Sequence, residues 1–165
     1  MRKLLPVAMM FILASCYKKD TNPNKLNETD KHFLSTVFKF NKEEIQTGQI
    51  ALNTSSNQGI RQFARDAINH YSMVQSDLLE VAETVGYTLA DTSTLQLHFI
   101  SDLSGSSFDT AYINSRFRTH TSMMKGYQLE LNEGNHTYVR HYFLNRNLDG
   151  LRSLFYMADS VARTF

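Results

Sequence analysis

Cysteine and tryptophan are almost missing from this chain of 165 residues, which has one Cys and no Trp. A single cysteine excludes any disulfide within the chain. The sequence also lacks a nucleophile placed beside its base, a glycine-rich phosphate loop and a zinc knuckle. Its aromatic residues are 11 Phe and 8 Tyr. We therefore predict one folded domain with an aromatic and aliphatic core, and we favour a protein that is not an enzyme.

The N-terminus has the features of a lipoprotein signal. Arg2 and Lys3 precede the apolar stretch Leu4–Leu13, which is too short to span a bilayer, and small residues then lead to Cys16. This pattern is similar to the type II signals of bacterial lipoproteins, in which the Cys thiol takes a diacylglyceryl group. The sequence predicts a signal peptide over residues 1–15 and lipidation of Cys16. An uncleaved anchor and an ordinary signal peptide are the alternatives.

Cleavage after residue 15 would determine the net charge of the mature chain and its location in the cell. The whole chain has 17 basic and 16 acidic residues, and removing residues 1–15 leaves 15 basic against 16 acidic, a net charge of −1. Such a nearly neutral body gives no electrostatic reason to expect nucleic acid as a partner. We expect a cell-envelope protein that is attached to a membrane by its lipid. The outer membrane is the preferred location, with the body facing the periplasm or the cell surface.

The rest of the chain divides into a tether and a helical body. Residues 16–29 comprise the lipidated Cys and a polar segment with Pro23, which predicts a flexible tether. Residues 30–165 contain four long segments of helical periodicity and no run of strict alternation, which predicts an all-α four-helix bundle. A short connector helix is expected over 94–103, between the second and third long helices. The predicted apolar stripe of the first helix is Phe33, Val37, Phe40, Glu44, Gly48 and Ala51, and that of the third is Ile113, Phe117, His120, Met124, Tyr127 and Leu131.

Polar side chains interrupt these apolar stripes. If the first two helices turn near residue 57, Glu44 and His70 each lie 13 residues from the turn and at the same level. His120 adds a third group, and two His with one carboxylate resemble a site for a divalent transition metal. The other interpretation is that these histidines are ordinary core residues satisfied by hydrogen bonds. Candidate supporting residues around such a site are Asp66, Asn69 and Asn147.

Several motifs resemble a bacterial family named domain of unknown function 4142 (DUF4142). They are Asn41 with Glu44-Ile45 and Gly48, Ile60-Arg61-Gln62-Phe63-Ala64 leading to His70, the run 78–86, and Phe108-Asp109 with Tyr112 and His120. The resemblance covers about residues 30–161 and implies a ferritin-like four-helix bundle in the envelope, with no established activity. This chain departs from the family pattern at Asn69, where an Asp is usual, and at Asp149 and Leu154, where a Pro and a His are usual.

Three hypotheses of function follow. The first, which we favour, is a non-enzymatic envelope protein whose helical bundle serves in binding, scaffolding or stress protection, with no cofactor expected. The second is metal-dependent redox chemistry or storage at Glu44, His70 and His120, with a divalent transition metal as the cofactor. The third is self-association through exposed Tyr and Phe side chains.

Overall fold

The structure is a computed structural model that describes residues 22–90 and 102–165, without the side chains of residues 144–146. In this part of the chain it consists of five α-helices and no β-strand. The predicted all-α fold class is therefore confirmed. The helices are α1 (Glu28–Thr54), α2 (Gln58–Thr84), α3 (Gly105–Glu133), α4 (Thr137–Arg146) and α5 (Leu148–Ala162).

The first two helices form a hairpin with the turn that the sequence predicts. Asn27 begins α1 in a reciprocal capping box with Asp30, and the Asn57 side chain accepts a hydrogen bond from the Ile60 amide to begin α2. All six residues of the predicted α1 stripe are buried. A Cβ on Gly48 would lie 2.7 Å from Ile68 Cγ1, so the glycine lets α1 approach α2 closely.

The buried face of α3 is turned by one residue from the predicted stripe. Ile113, His120 and Tyr127 are buried as expected, but Phe117, Met124 and Leu131 are only half-buried. Their predecessors take the buried positions instead: Arg116, Met123 and Glu130. Two ionisable side chains thus lie where the sequence predicted none.

The last predicted helix is divided in two at Asn147. This residue ends α4 and precedes α5, and only 3% of its surface is exposed. The residue before α4 is His136. The Asn135 side chain, in the loop before it, donates hydrogen bonds to the carbonyls of Asn22 and Lys25, so residues 22–27 lie along the loop between α3 and α4.

The helices surround one core, and each long helix packs on two neighbours. α1 packs on α2 and α3, and α5 packs on the other sides of the same two helices. At one end of the core the Phe33 ring makes edge contacts at 5.0 Å with both Tyr127 and Phe143, joining α1, α3 and α4. The connector helix predicted over 94–103 lies almost wholly outside the described residues. Within the described ranges, no helix combines the length and apolar character needed to cross a membrane.

Candidate functional site

A buried ion pair joins α1 to α3 in the middle of the core. Arg116 Nη1 donates to Glu44 Oε1 at 2.8 Å, and neither side chain is exposed to solvent. The same nitrogen lies 3.2 Å from Thr47 Oγ1. Arg116 Nη2 donates to Glu43 Oε1 at 2.9 Å, and 32% of the Glu43 side chain is exposed. Burial lowers the pKa of Arg116, but the two carboxylates raise it by more, so the guanidinium stays charged.

His120 extends this network towards α2. Its Nδ1 lies 2.8 Å from the Arg116 carbonyl oxygen, which can only accept, so we assign the ring proton to Nδ1. Nε2 then accepts a hydrogen bond from Tyr71 Oη at 2.8 Å. Burial lowers the pKa of His120 more than Glu44 raises it, and burial also raises the pKa of Tyr71. Both groups are therefore neutral at pH 7, and we call Glu44, Tyr71, Arg116 and His120 the polar core.

The polar core is closed to solvent. Its four members are at most 2% exposed. Thr119 donates a second hydrogen bond to Glu44 Oε1 at 3.2 Å, while Glu44 Oε2 has no hydrogen-bond partner among the described residues. A substrate cannot reach these groups without separating the helices. The arrangement can hold a buried charge and fix helix positions, but it does not present a reactive group to a ligand.

The structure brings two of the three predicted metal ligands together and places the third elsewhere. Glu44 Oε1 and His120 Nδ1 are 3.9 Å apart. His70 instead lies half-buried in a depression between α2 and α5, against Gly150. A Cβ on Gly150 would lie 2.1 Å from His70 Cε1, so the ring occupies the space that the glycine leaves. Burial, and to a smaller extent His120, lowers the pKa of His70.

These positions do not fit a metal ion held by Glu44, His70 and His120. Across residues 22–90 and 102–165, no three His, Cys, Asp or Glu side chains are placed so that they could hold a metal ion. Arg116 already neutralises Glu44, and both His120 nitrogens are occupied by hydrogen bonds. A cation beside that guanidinium would be repelled. Metal binding by these residues stays a prediction that metal analysis tests.

The predicted supporting residues are also dispersed. Asp66 shares the depression with His70 and accepts hydrogen bonds from Gln62 at 2.9 and 3.0 Å. Asn69 is exposed, and Asn147 is buried where α4 meets α5. Cys16 lies outside the described residues, so its lipidation stays a prediction.

Sequence reasoning missed Arg116 and Tyr71. Arginine is rarely fully buried in proteins, so a sequence-based prediction places Arg116 on the surface of its helix. The signal was its spacing, since Arg116 lies three residues after Ile113 and four before His120 on one helix face. Tyr71 takes the core position that was predicted for the neighbouring His70.

A surface groove runs between α1 and α3 beside the polar core, and we call it the α1–α3 groove. Its larger part has a volume of about 240 Å³ and is lined by residues that include Lys39, Phe40, Glu43, Thr119, Met123 and Gly126. A smaller depression of about 70 Å³ shares Thr36 and Gly126 with it and continues to Phe33 and Leu129. Most of the lining is apolar, and Glu43 and Thr119 separate the groove from Arg116 and Glu44.

Comparison with known proteins identifies a family but no characterised relative. Residues 17–161 match the family described as "Domain of unknown function (DUF4142)". No curated protein and no solved structure matches the chain.

Proposed function

The chain belongs to the DUF4142 family, and we propose that it is a membrane-anchored envelope lipoprotein whose helices act as a binding module and not as an enzyme. The observation that carries the proposal is the closure of the polar core. Catalysis requires reactive groups within hydrogen-bond reach of a substrate. Here Glu44, Arg116 and His120 have no exposed surface, and each is hydrogen-bonded to other groups of the protein.

We further propose that the helices form a ferritin-like four-helix bundle. α4 and α5 together supply the fourth member, interrupted at Asn147. The packing order supports this, because α1 and α5 each contact both α2 and α3. Such a bundle presents helix surfaces and the grooves between them, which are the usual places for ligands in this architecture.

The anchor is supported by the signal-like N-terminus and by the position of the first described residues. Asn22 follows Cys16 by six residues, which span at most about 20 Å when extended. Residues 22–27 are hydrogen-bonded to the loop between α3 and α4. A lipid on Cys16 would therefore hold that end of the body near the membrane surface.

Metabolic labelling with an alkyne fatty acid tests the anchor. Labelling and membrane fractionation of the native chain should be compared with Cys16→Ala and with the matched control Ser15→Ala, which keeps a small residue before the Cys. We expect the label and the membrane association to be lost in Cys16→Ala and kept in Ser15→Ala. Persistent labelling of Cys16→Ala would contradict the proposal.

A further inference from the structure

Two buried carboxyl groups meet at the end of the body where the chain enters α1. Asp30 on α1 is fully buried, and only 2% of the surface of Glu130 on α3 is exposed. A side-chain hydrogen bond joins the two residues. Such a bond needs one proton, because two ionised carboxylates offer only acceptors. We call Asp30 and Glu130 the carboxyl pair.

The surroundings place this proton on Glu130. The Asp30 oxygens accept hydrogen bonds from the backbone amides of Asn27 at 2.7 Å, Asn135 at 3.0 Å and His136 at 3.0 Å. These bonds favour the charged form of Asp30. Neither side-chain oxygen of Glu130 accepts a hydrogen bond from a donor in the described part of the chain. Glu130 is therefore a buried acid that donates to Asp30, and loss of its proton would place two negative charges side by side.

The other charged groups nearby do not relieve this repulsion. Burial and then Asp30 raise the pKa of Glu130 to about 8, and Arg140 lowers it by less. Arg140 Nη2 donates to a backbone carbonyl oxygen at 2.7 Å. The titratable groups of the neighbouring elements are Asp30 on α1, His136 before α4, Arg140 on α4, and the exposed Glu133 and Lys25.

Asp30 also fastens residues 22–27, which we call the N-terminal segment, to the loop between α3 and α4. It accepts amides from both, and further hydrogen bonds run from Asn135 Nδ2 to the Asn22 and Lys25 carbonyls, from the Thr137 amide to the Pro23 carbonyl, and from Asn27 Nδ2 to the Glu133 carbonyl. Residues 22–25 are exposed, and Leu26 packs against the core. The segment is thus held mainly by hydrogen bonds, which is typical of a part that opens locally.

Opening of the segment and the loop is the least disruptive way to hydrate an ionised Glu130. Separating α1 from α3 instead would break the contact of Phe33 with Tyr127, whose ring centroids are 5.0 Å apart one turn further into the core. In the opened state Glu130 regains its ordinary pKa of 4.5. Between pH 4.5 and about 8 the ratio of docked to released segment therefore falls about tenfold per pH unit, and above 8 it is constant.

We propose that the carboxyl pair is a pH-sensitive switch that keeps the N-terminal segment docked while Glu130 is protonated and releases it when Glu130 ionises. Release adds residues 22–27 to the predicted tether, which is up to about 20 Å of extended chain. In an anchored chain the helices could then move away from the membrane surface as the pH rises. This last consequence rests on the proposed anchor, whereas the switch itself is independent of lipidation.

Quenching of bimane by tryptophan tests the switch, because the sequence contains no Trp. In the full chain carrying Cys16→Ser, the dye is attached at Asn24→Cys and the quencher is Thr137→Trp. Both positions are exposed, and they are neighbours through the hydrogen bond from Thr137 to Pro23. We expect quenching at pH 6 and its loss at pH 9, because the ratio of docked to released segment falls about a hundredfold. Constant quenching from pH 6 to pH 9 would overturn the proposal.

Variants assign the response to Glu130. Glu130→Gln keeps a donor to Asp30 and Glu130→Met has no titrating group, so each should show the same quenching at both pH values. The matched controls Glu133→Gln and His136→Gln keep Glu130 and should release the segment as the parent does. Release at pH 9 in the two Glu130 variants, or its loss in His136→Gln, would overturn the assignment. The labelled chain without Thr137→Trp corrects for any direct effect of pH on the dye.

Circular dichroism separates local release from unfolding of the whole body. At the temperature of the assay, the helical signal of the labelled chain should be the same at pH 6 and pH 9. Loss of helix together with quenching would overturn a local switch. Fatty-acid labelling of Cys16 tests the anchor in a separate experiment, so failure of the anchor and failure of the switch are distinguishable.

Discussion

At the scale of single residues, the main feature is a positive charge held in an apolar interior. Burying Arg116 is expensive, and the cost is offset by Glu44, Glu43 and the hydroxyl of Thr47. Removing one member of a buried pair is worse than removing both, because the remaining charge then has no partner. Arg116 and Glu44 should therefore show strong coupling in stability.

We expect Arg116→Met to lower the free energy of unfolding by about 3–5 kcal/mol, because it leaves Glu44 charged and buried. Adding Glu44→Gln should recover at least about half of that loss. Urea unfolding of the two single variants and the double variant measures the coupling. Glu43→Gln is the matched control on the same helix and should cost about 1 kcal/mol or less, since Glu43 is partly exposed. Additive effects of Arg116→Met and Glu44→Gln would contradict the pairing.

At the scale of helices, α2 and α5 fit together through an imidazole and a glycine. The His70 ring fills the place where a side chain at position 150 would lie. Alanine is otherwise favoured over glycine inside a helix by about 1 kcal/mol. The effect of a methyl group at position 150 should therefore depend on what occupies position 70.

We predict that Gly150→Ala destabilises the native chain but stabilises the His70→Ala variant, by up to about 1 kcal/mol in the second case. In the native chain the new methyl group clashes with the His70 ring, which lowers stability. In the His70→Ala variant the ring is gone, so only the higher helix propensity of alanine over glycine remains. Thermal or urea unfolding of the four chains in this cycle gives the result. If Gly150→Ala has the same effect in both backgrounds, His70 does not lie where the structure places it.

The same scale shows what could be predicted from the sequence. The turn near residue 57 and the α1 stripe with Glu44 were predicted correctly, because the core-facing residues of α1 recur at steps of three and four along one face. In α3 the steps of three and four allow two neighbouring stripes, and burial of Arg116 and Glu130 is decided by partners on other helices. Tyr71 instead of His70 faces the core for the same reason. The place of His70 depends on Gly150 on another helix, and the spacing of residues within α2 gives no information about that helix.

At the scale of the whole molecule, one end of the body combines a buried carboxylate pair with the first described residues. Asp30 is fully buried, and its oxygens accept hydrogen bonds from the amides of Asn27, Asn135 and His136. Glu130 is 2% exposed at the same place. Burial first, and then the nearby Asp30 carboxylate, raise the pKa of Glu130 to about 8, while Arg140 lowers it by less. This end is the one that the proposed lipid would hold near the membrane.

The raised pKa of Glu130 makes stability fall as the pH rises. Below pH 4.5 the group is protonated in both states. Between 4.5 and about 8 only the folded state keeps the proton, and above 8 the folded state must hold the buried charge. We expect the melting temperature to fall from pH 6 to pH 9, and Glu130→Gln to remove most of that fall. Burial lowers the pKa values of His70 and His120, so their contribution to stability increases as the pH rises and cannot cause this fall. An unchanged pH profile in Glu130→Gln would show that another group titrates.

The composition of the purified chain distinguishes a binding module from a metal protein. Arg116 neutralises Glu44, and hydrogen bonds occupy both nitrogens of His120, so we expect elemental analysis of the chain purified without chelator to find no stoichiometric transition metal. The double variant His70→Ala with His120→Ala should also contain none but should unfold more easily, because Tyr71 loses its acceptor. Transition metal near one equivalent in the native chain, lost in the double variant, would instead mean that Arg116 moves aside and that the core is a metal site.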